Sequence, residues 1–197
     1  MDERMSQEWE PVKGEIMTRW VKDVKPEIPL PEYPRPQLER EEWLNLNVLW
    51  NYAICPINRE SLDSYDGKIL VPFPVESALS GVKRKLTPKQ KIWYQRIFSI
   101  PKNWNGKRII LHFGAVDWEA TVSVNYKEVG SHKGGHVPFS FDITDFLNDS
   151  GENELNVSVL DPTNKGQVER GKQSLKPKMI KYTAVSGIWQ TIWLEPV

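Results

Sequence analysis

Four stretches of this chain place apolar residues at every second position, and that period of two decides what the chain folds into. In "LNLNVLWNYAI" the side chains of Leu46, Val48, Trp50, Tyr52 and Ile54 fall on one face, with Asn45, Asn47 and Asn51 opposite. The pattern returns in "EATVSV" through Ala120, Val122 and Val124, and in "VPFSFDI" through Val137, Phe139, Phe141 and Ile143. It returns again in "ELNVSVL" through Leu155, Val157 and Val159. Successive side chains of a strand point to opposite faces, so each stretch reads as a strand buried on one side. Less regular β-rich runs lie at "KILVPF", "IWYQRIFSI", "RIILHF" and "IWQTIWL", and polar turns at "NWNG", "KGG" and "NDSGEN" separate them. Only "DITDFL" reads as helical, and about one turn cannot persist alone. Short strands joined by polar turns, with no amphipathic helix, predict an all-β antiparallel sandwich.

Two segments break the rhythm. Residues 1–42 include "PEIPLPEYPRP", five prolines that each fix φ and remove a backbone donor, so this lead-in is expected to run extended over a surface or to act as a stiff linker. The sandwich is then expected over residues 43–197. Within it, residues 161–187, "DPTNKGQVERGKQSLKPKMIKYTAVSG", form a connection much longer than compact domains usually need, the kind of loop that carries function.

Composition narrows the partners. The chain has 26 Lys and Arg against 26 Asp and Glu, and its densest basic run, "VKRKLTPKQK", reads as a solvated loop, so neither nucleic acid nor an anionic membrane is expected as a partner. No apolar run is long enough to span a bilayer. The single cysteine, Cys55, excludes an internal disulfide framework. The start, "MDERMSQEWEP", is acidic and polar, unlike a signal peptide. Nine tryptophans are expected mostly to fill the core, with one or two free to stack on a ligand.

Asp117, Trp118 and Glu119 have the look of an acidic site. Retaining glycosidases hold two carboxyls about 5–5.5 Å apart across one bond. Residues two apart in a strand share a face at about 6.5–7 Å and do not oppose each other. Asp117 and Glu119 also continue the polar face of Thr121 and Ser123, so they are read as solvated edge residues, with Trp118 facing the core or a neighbouring domain. His132 and His136 in "HKGGH" lack the further ligands of a zinc site and read as two exposed histidines in a hairpin loop. "NDSGEN" reads as a turn rather than a calcium loop, "GKQS" lacks the glycine spacing of a phosphate loop, and no G-x-S-x-G elbow is present.

The order of several motifs resembles the N-terminal region of glycoside hydrolase family 2, which includes β-galactosidases, β-glucuronidases and β-mannosidases. The motifs are "WYQRIF", "FGAVDWEATVSVN", "PFSFDIT" and "SGIWQTIWLEPV", within a resemblance that runs from about residue 33 to the end. It implies a jelly-roll sandwich related to galactose-binding domains, called the sugar-binding domain of these enzymes. It also implies an immunoglobulin-like domain and a catalytic (β/α)₈ barrel as partners in the same enzyme, a carbohydrate substrate, a homo-oligomer of the full enzyme and no cofactor or metal. Catalytic residues are expected on the barrel and none on this chain. Substrate-proximal candidates are Glu76 and Ser77 in "FPVESALSG", and Asp161, Arg170, Lys172 and Gln173 in the long loop, with Arg170 suited to an interdomain carboxylate. The resemblance implies export to the periplasm or beyond if the full enzyme carries a signal peptide, and the cytoplasm otherwise. The chain departs from the family pattern at Val48, where glycine is usual, at Asn125-Tyr126, where Asn-Gly is common, and at "MIKYTAV" before Ser186. There, some β-galactosidases carry an aspartate for sugar and sodium, and this chain has no acid. Two rival readings stand beside the enzyme domain: a free-standing carbohydrate-binding module, and a purely structural domain that docks neighbours.

Overall fold

The computed structural model describes residues 9–13 and 17–197. Its strands are β1 (Leu44–Asn45), β2 (Leu49–Pro56), β3 (Gly67–Leu70), β4 (Gln90–Ser99), β5 (Ile109–Phe113), β6 (Val116–Asp117) and β7 (Glu119–Val124). They continue with β8 (Lys127–Lys133), β9 (Phe139–Asp142), β10 (Glu152–Leu160), β11 (Gln173–Ser174), β12 (Tyr182–Thr183), β13 (Gly187–Ile188) and β14 (Ile192–Pro196). A larger sheet has the order β3-β2-β4-β10-β7-β8, and a smaller one β1-β14-β5-β9. Both are antiparallel throughout, the arrangement that lets one face go to the core and the other to solvent. This is an all-β antiparallel sandwich, as the alternation predicts, and a jelly roll, as the resemblance implies. Among the described residues, helix is confined to short 3₁₀ turns such as Thr144–Phe146, inside "DITDFL".

Alternation does its work where it is cleanest. Ala120, Val122 and Val124 of β7 and Leu155, Val157 and Val159 of β10 face inward and are fully buried, while Thr121 and Ser123 on the outer face are half-buried. They meet Leu111, Phe113, Ile192 and Leu194 of the smaller sheet in one core. Each such aliphatic side chain contributes about 1.5–3 kcal/mol when fully buried. Of the tryptophans, Trp50, Trp104 and Trp193 are buried, and Trp20 stands 60% exposed.

Three readings of sequence are corrected here. Asn47 was placed on a polar outer face but is buried, because β2 begins only at Leu49 and the preceding backbone turns Asn47 inward. Its amide nitrogen donates to Thr191 Oγ1 and to the Pro29 carbonyl, and its oxygen accepts from the Ile192 N–H. His132 is half-buried rather than exposed, stacked on Phe139 with ring centroids 4.1 Å apart. Val137 is exposed, since β9 starts only at Phe139.

The expectation for residues 1–42 falls partly on residues 1–8 and 14–16, outside the described residues, as does most of the polar start. From Pro29 the chain runs along the sandwich edge and outer face. Asn45 Nδ2 donates to the Leu30 carbonyl at 2.9 Å. Buried Glu195 accepts from Tyr33 Oη at 2.6 Å and from Trp193 Nε1 at 2.7 Å, and pairs with Arg40 Nε at 3.0 Å. Arg35 donates to His112 Nδ1 at 2.9 Å, which leaves the proton of a neutral imidazole on Nε2, 3.4 Å from Glu195. Burial holds His112 down to about 4, and burial followed by the Glu195 bond raises Tyr33 to about 12.

Candidate functional site

The candidate residues gather at the end of the sandwich where β10 finishes. Asp161 follows β10 directly, β6 pairs with β13 (Gly187↔Asp117, Ile188↔Val116), and the long loop returns through the parallel pair β11–β12. Asp161 is buried. Its carboxylate accepts from the Thr163 N–H, from Thr163 Oγ1 at 3.1 Å and from Ser186 Oγ at 2.6 Å. The backbone N–H of the same buried Ser186 donates to Glu76 Oε2 at 2.9 Å. Two carboxyls remote in sequence therefore converge on one serine.

Gln173 is buried and bridges in both directions: its Nε2 donates to Asp117 Oδ2 at 3.0 Å and its Oε1 accepts from the Val185 N–H at 2.6 Å. Ser77 caps the turn Ala78–Ser80 by accepting from the Leu79 N–H at 3.1 Å. Arg170 and Lys172 are exposed and take no part in this network. The structure thus brings Glu76, Asp161 and Gln173 together through Ser186 and Val185, and leaves Arg170 and Lys172 on the outside.

Asp117 corrects the sequence reading most sharply. It was read as a solvated edge residue, yet only 3% of it is exposed. Parity with Thr121 and Ser123 does not carry across Trp118, because β6 and β7 are separate strands paired to different neighbours. The Asp117 carboxyl packs so close to Gly135 that an added Cβ there would lie 2.5 Å from its Cγ. Glu119 is half-buried and pairs with Lys133 Nζ at 3.0 Å, and Trp118 is half-buried beneath the same ammonium. The signal available in sequence was the glycine pair Gly134-Gly135, which marks a close backbone approach.

Burial sets the electrostatics. It pushes Glu76 up to about 7 against the Ser186 hydrogen bonds that pull it down. It pushes Asp117 up to about 6, with the Gln173 bond opposing and the Asp161 charge adding. Beside the network, Glu76, Ser77, Lys83, Arg84 and Lys85 line a cavity of about 570 Å³ together with Met17, Thr18 and Val21. In that setting the acids serve as anchors. Asp161 and Asp117 are held by donors from the chain itself.

A jelly-roll sandwich with one long loop pinned at its end by buried acids defines a β-sandwich domain with an anchored surface loop. Residues 34–195 match the family described as glycosyl hydrolases family 2, sugar binding domain, and the chain belongs to that family. It is 34% identical over 157 residues to a β-galactosidase of Thermoanaerobacter pseudethanolicus, covering 77% of this chain and 20% of that one. It is 32% identical over 133 residues to a β-glucuronidase of Paenibacillus borealis, covering 64% of this chain and 22% of that one. Among solved structures, a β-glucuronidase from an uncultured Clostridium species superposes with a TM-score of 0.58 at 26% identity, over 80% of this chain and 29% of that one. The chain spans about a fifth of the length of these curated relatives, which are larger glycosidases containing this domain as one part.

Proposed function

We propose that the chain is the sugar-binding and scaffolding domain of a retaining enzyme that hydrolyses β-glycosides, with catalysis on a barrel outside these 197 residues. The loops at 74–86 and 161–187 form one side of the substrate pocket and carry the contact to the barrel and the immunoglobulin-like domain. The observation that supports this is the pinned loop. Ser186 and Gln173 fix its base, while its tip holds Met179 at 99% and Ile180 at 74% exposure with Arg170 and Lys172 nearby in sequence. Apolar side chains raised on an anchored loop mark a docking surface. Charged and hydroxyl groups around the adjacent cavity suit a polyhydroxylated substrate.

The test is the stereochemistry of the full-length protein. Aryl β-glucuronides, β-galactosides and β-mannosides are supplied, and the first-formed anomer is followed by NMR. Release of a β-anomer supports the proposal; release of the α-anomer, or no release from any of the three, rejects it.

A further inference from the structure

The sandwich has a second cleft at its other end. β4 ends at Ser99 and β10 begins opposite it at Glu152. Asp161 follows the far end of β10, about 31 Å from Glu152 at ~3.4 Å per residue. Between the loops 99–109 and 144–153 lies a cavity of about 750 Å³, within the range typical of small-molecule sites. Its floor is apolar, from buried Trp104 and Ile109 and half-buried Leu147. Its rim is amide and hydroxyl, from exposed Asn105 and Ser150 and from Asn148, whose Nδ2 already donates to the Glu152 carbonyl at 2.8 Å.

Charge decides the ligand class. Lys107 is paired with Glu42, and Arg108 with Asp142 at 2.8 Å. The remaining rim charges, Lys102 and Asp149, are of opposite sign. An anionic ligand would have to displace carboxylates from the cations already holding them. A ligand bearing many hydroxyls, each both donor and acceptor, matches amides and a serine hydroxyl without that displacement, and its apolar ring face fits the floor. We infer that this cleft binds a neutral saccharide, at a site separate from the end that carries Glu76 and Asp161. A glycan held there would sit on the opposite end of the domain from the proposed catalytic pocket, tethering a polymeric substrate.

Titration of the 197-residue protein with neutral β-linked tetrasaccharides of glucose, galactose, mannose and xylose, read by calorimetry and by protein NMR, tests this. At least one binds, with shifts at Asn105 and Ser150, and raising salt to about 0.5 M leaves the affinity unchanged because screening acts on charge. Asn105→Ala and Ser150→Ala, both at exposed positions, each weaken binding at least tenfold with thermal stability intact. No binding by any of the four sugars overturns the inference, as does an affinity that survives both rim substitutions. Tighter, salt-sensitive binding of polygalacturonate than of every neutral sugar overturns it too, by making the cleft an anion site.

Discussion

At the scale of single residues, Glu76 is where burial and chemistry meet. Its carboxyl titrates ordinarily near 4.5 and in the folded protein near 7. Between those values the native state holds a proton that the unfolded chain releases. The resulting stability is therefore present below about pH 4.5 and is lost as pH rises through 7, at up to about 1.4 kcal/mol per pH unit. Asp117 acts with the same sign between its ordinary 3.8 and about 6. His112 acts oppositely: its proton affinity is depressed from 6.5 to about 4, so its stability is present above 6.5 and lost as pH falls. Glu76→Gln removes one component and leaves the others. Denaturant unfolding should show the variant gaining on the wild type steadily from pH 5 to 7.5, and parallel stability curves across that range would reject the assignment. The serine beside Glu76 is held in place by chain geometry as well. Gly187 adopts φ +83°, and a Cβ there would meet the buried Tyr94 hydroxyl at 2.0 Å. No side chain fits between Ser186 and that tyrosine.

At the scale of elements, what sequence reveals depends on whether a side chain's environment is local. β7 and β10 were legible because period-two alternation reports burial directly, and the polar turns fixed their ends. Asn47 and Asp117 were misread because each lies where one strand gives way to another, and parity loses meaning there. The convergence of Asp161 and Glu76 on Ser186 was invisible for a different reason: these contacts join residues 25 and 110 positions apart, and only the topology brings them together. The Glu195 cluster belongs with them. A single carboxylate at the end of the chain gathers Tyr33, Arg40 and Trp193 and so fixes the proline-rich segment to the smaller sheet. Glu195→Ala strands the Tyr33 hydroxyl and the Trp193 indole without acceptors, at roughly 1–3 kcal/mol for each buried group left unpaired. It should lower thermal stability and open the segment before Asn45 to limited proteolysis, with cleavage preceding global unfolding. Loss of stability with no new cleavage there would show that the segment is held by other contacts.

At the scale of the whole molecule, the two ends of the sandwich have different characters. One end spends buried hydrogen bonds to hold a loop rigid, and the tip of that loop exposes Met179, Ile180 and Tyr182, a costly surface for a domain that stands alone. The other end has a charge-balanced cleft between short loops. The asymmetry follows if the first end meets protein and the second meets solvent and glycan. Replacing Met179 and Ile180 together by serine separates the domain's own stability from its docking. Both side chains lie outside the core, so the melting temperature of the 197-residue protein should hold, surface changes generally staying within about 0.5 kcal/mol. Under the docking proposed for this loop, on a barrel of the full-length protein, burial of two such side chains is worth about 1.5–3 kcal/mol each. The double variant should therefore inactivate at a lower temperature there, with separate unfolding transitions resolved by calorimetry. Equal melting behaviour of variant and wild type in both settings would mean that the raised loop touches nothing, and the scaffold reading of this end would fall.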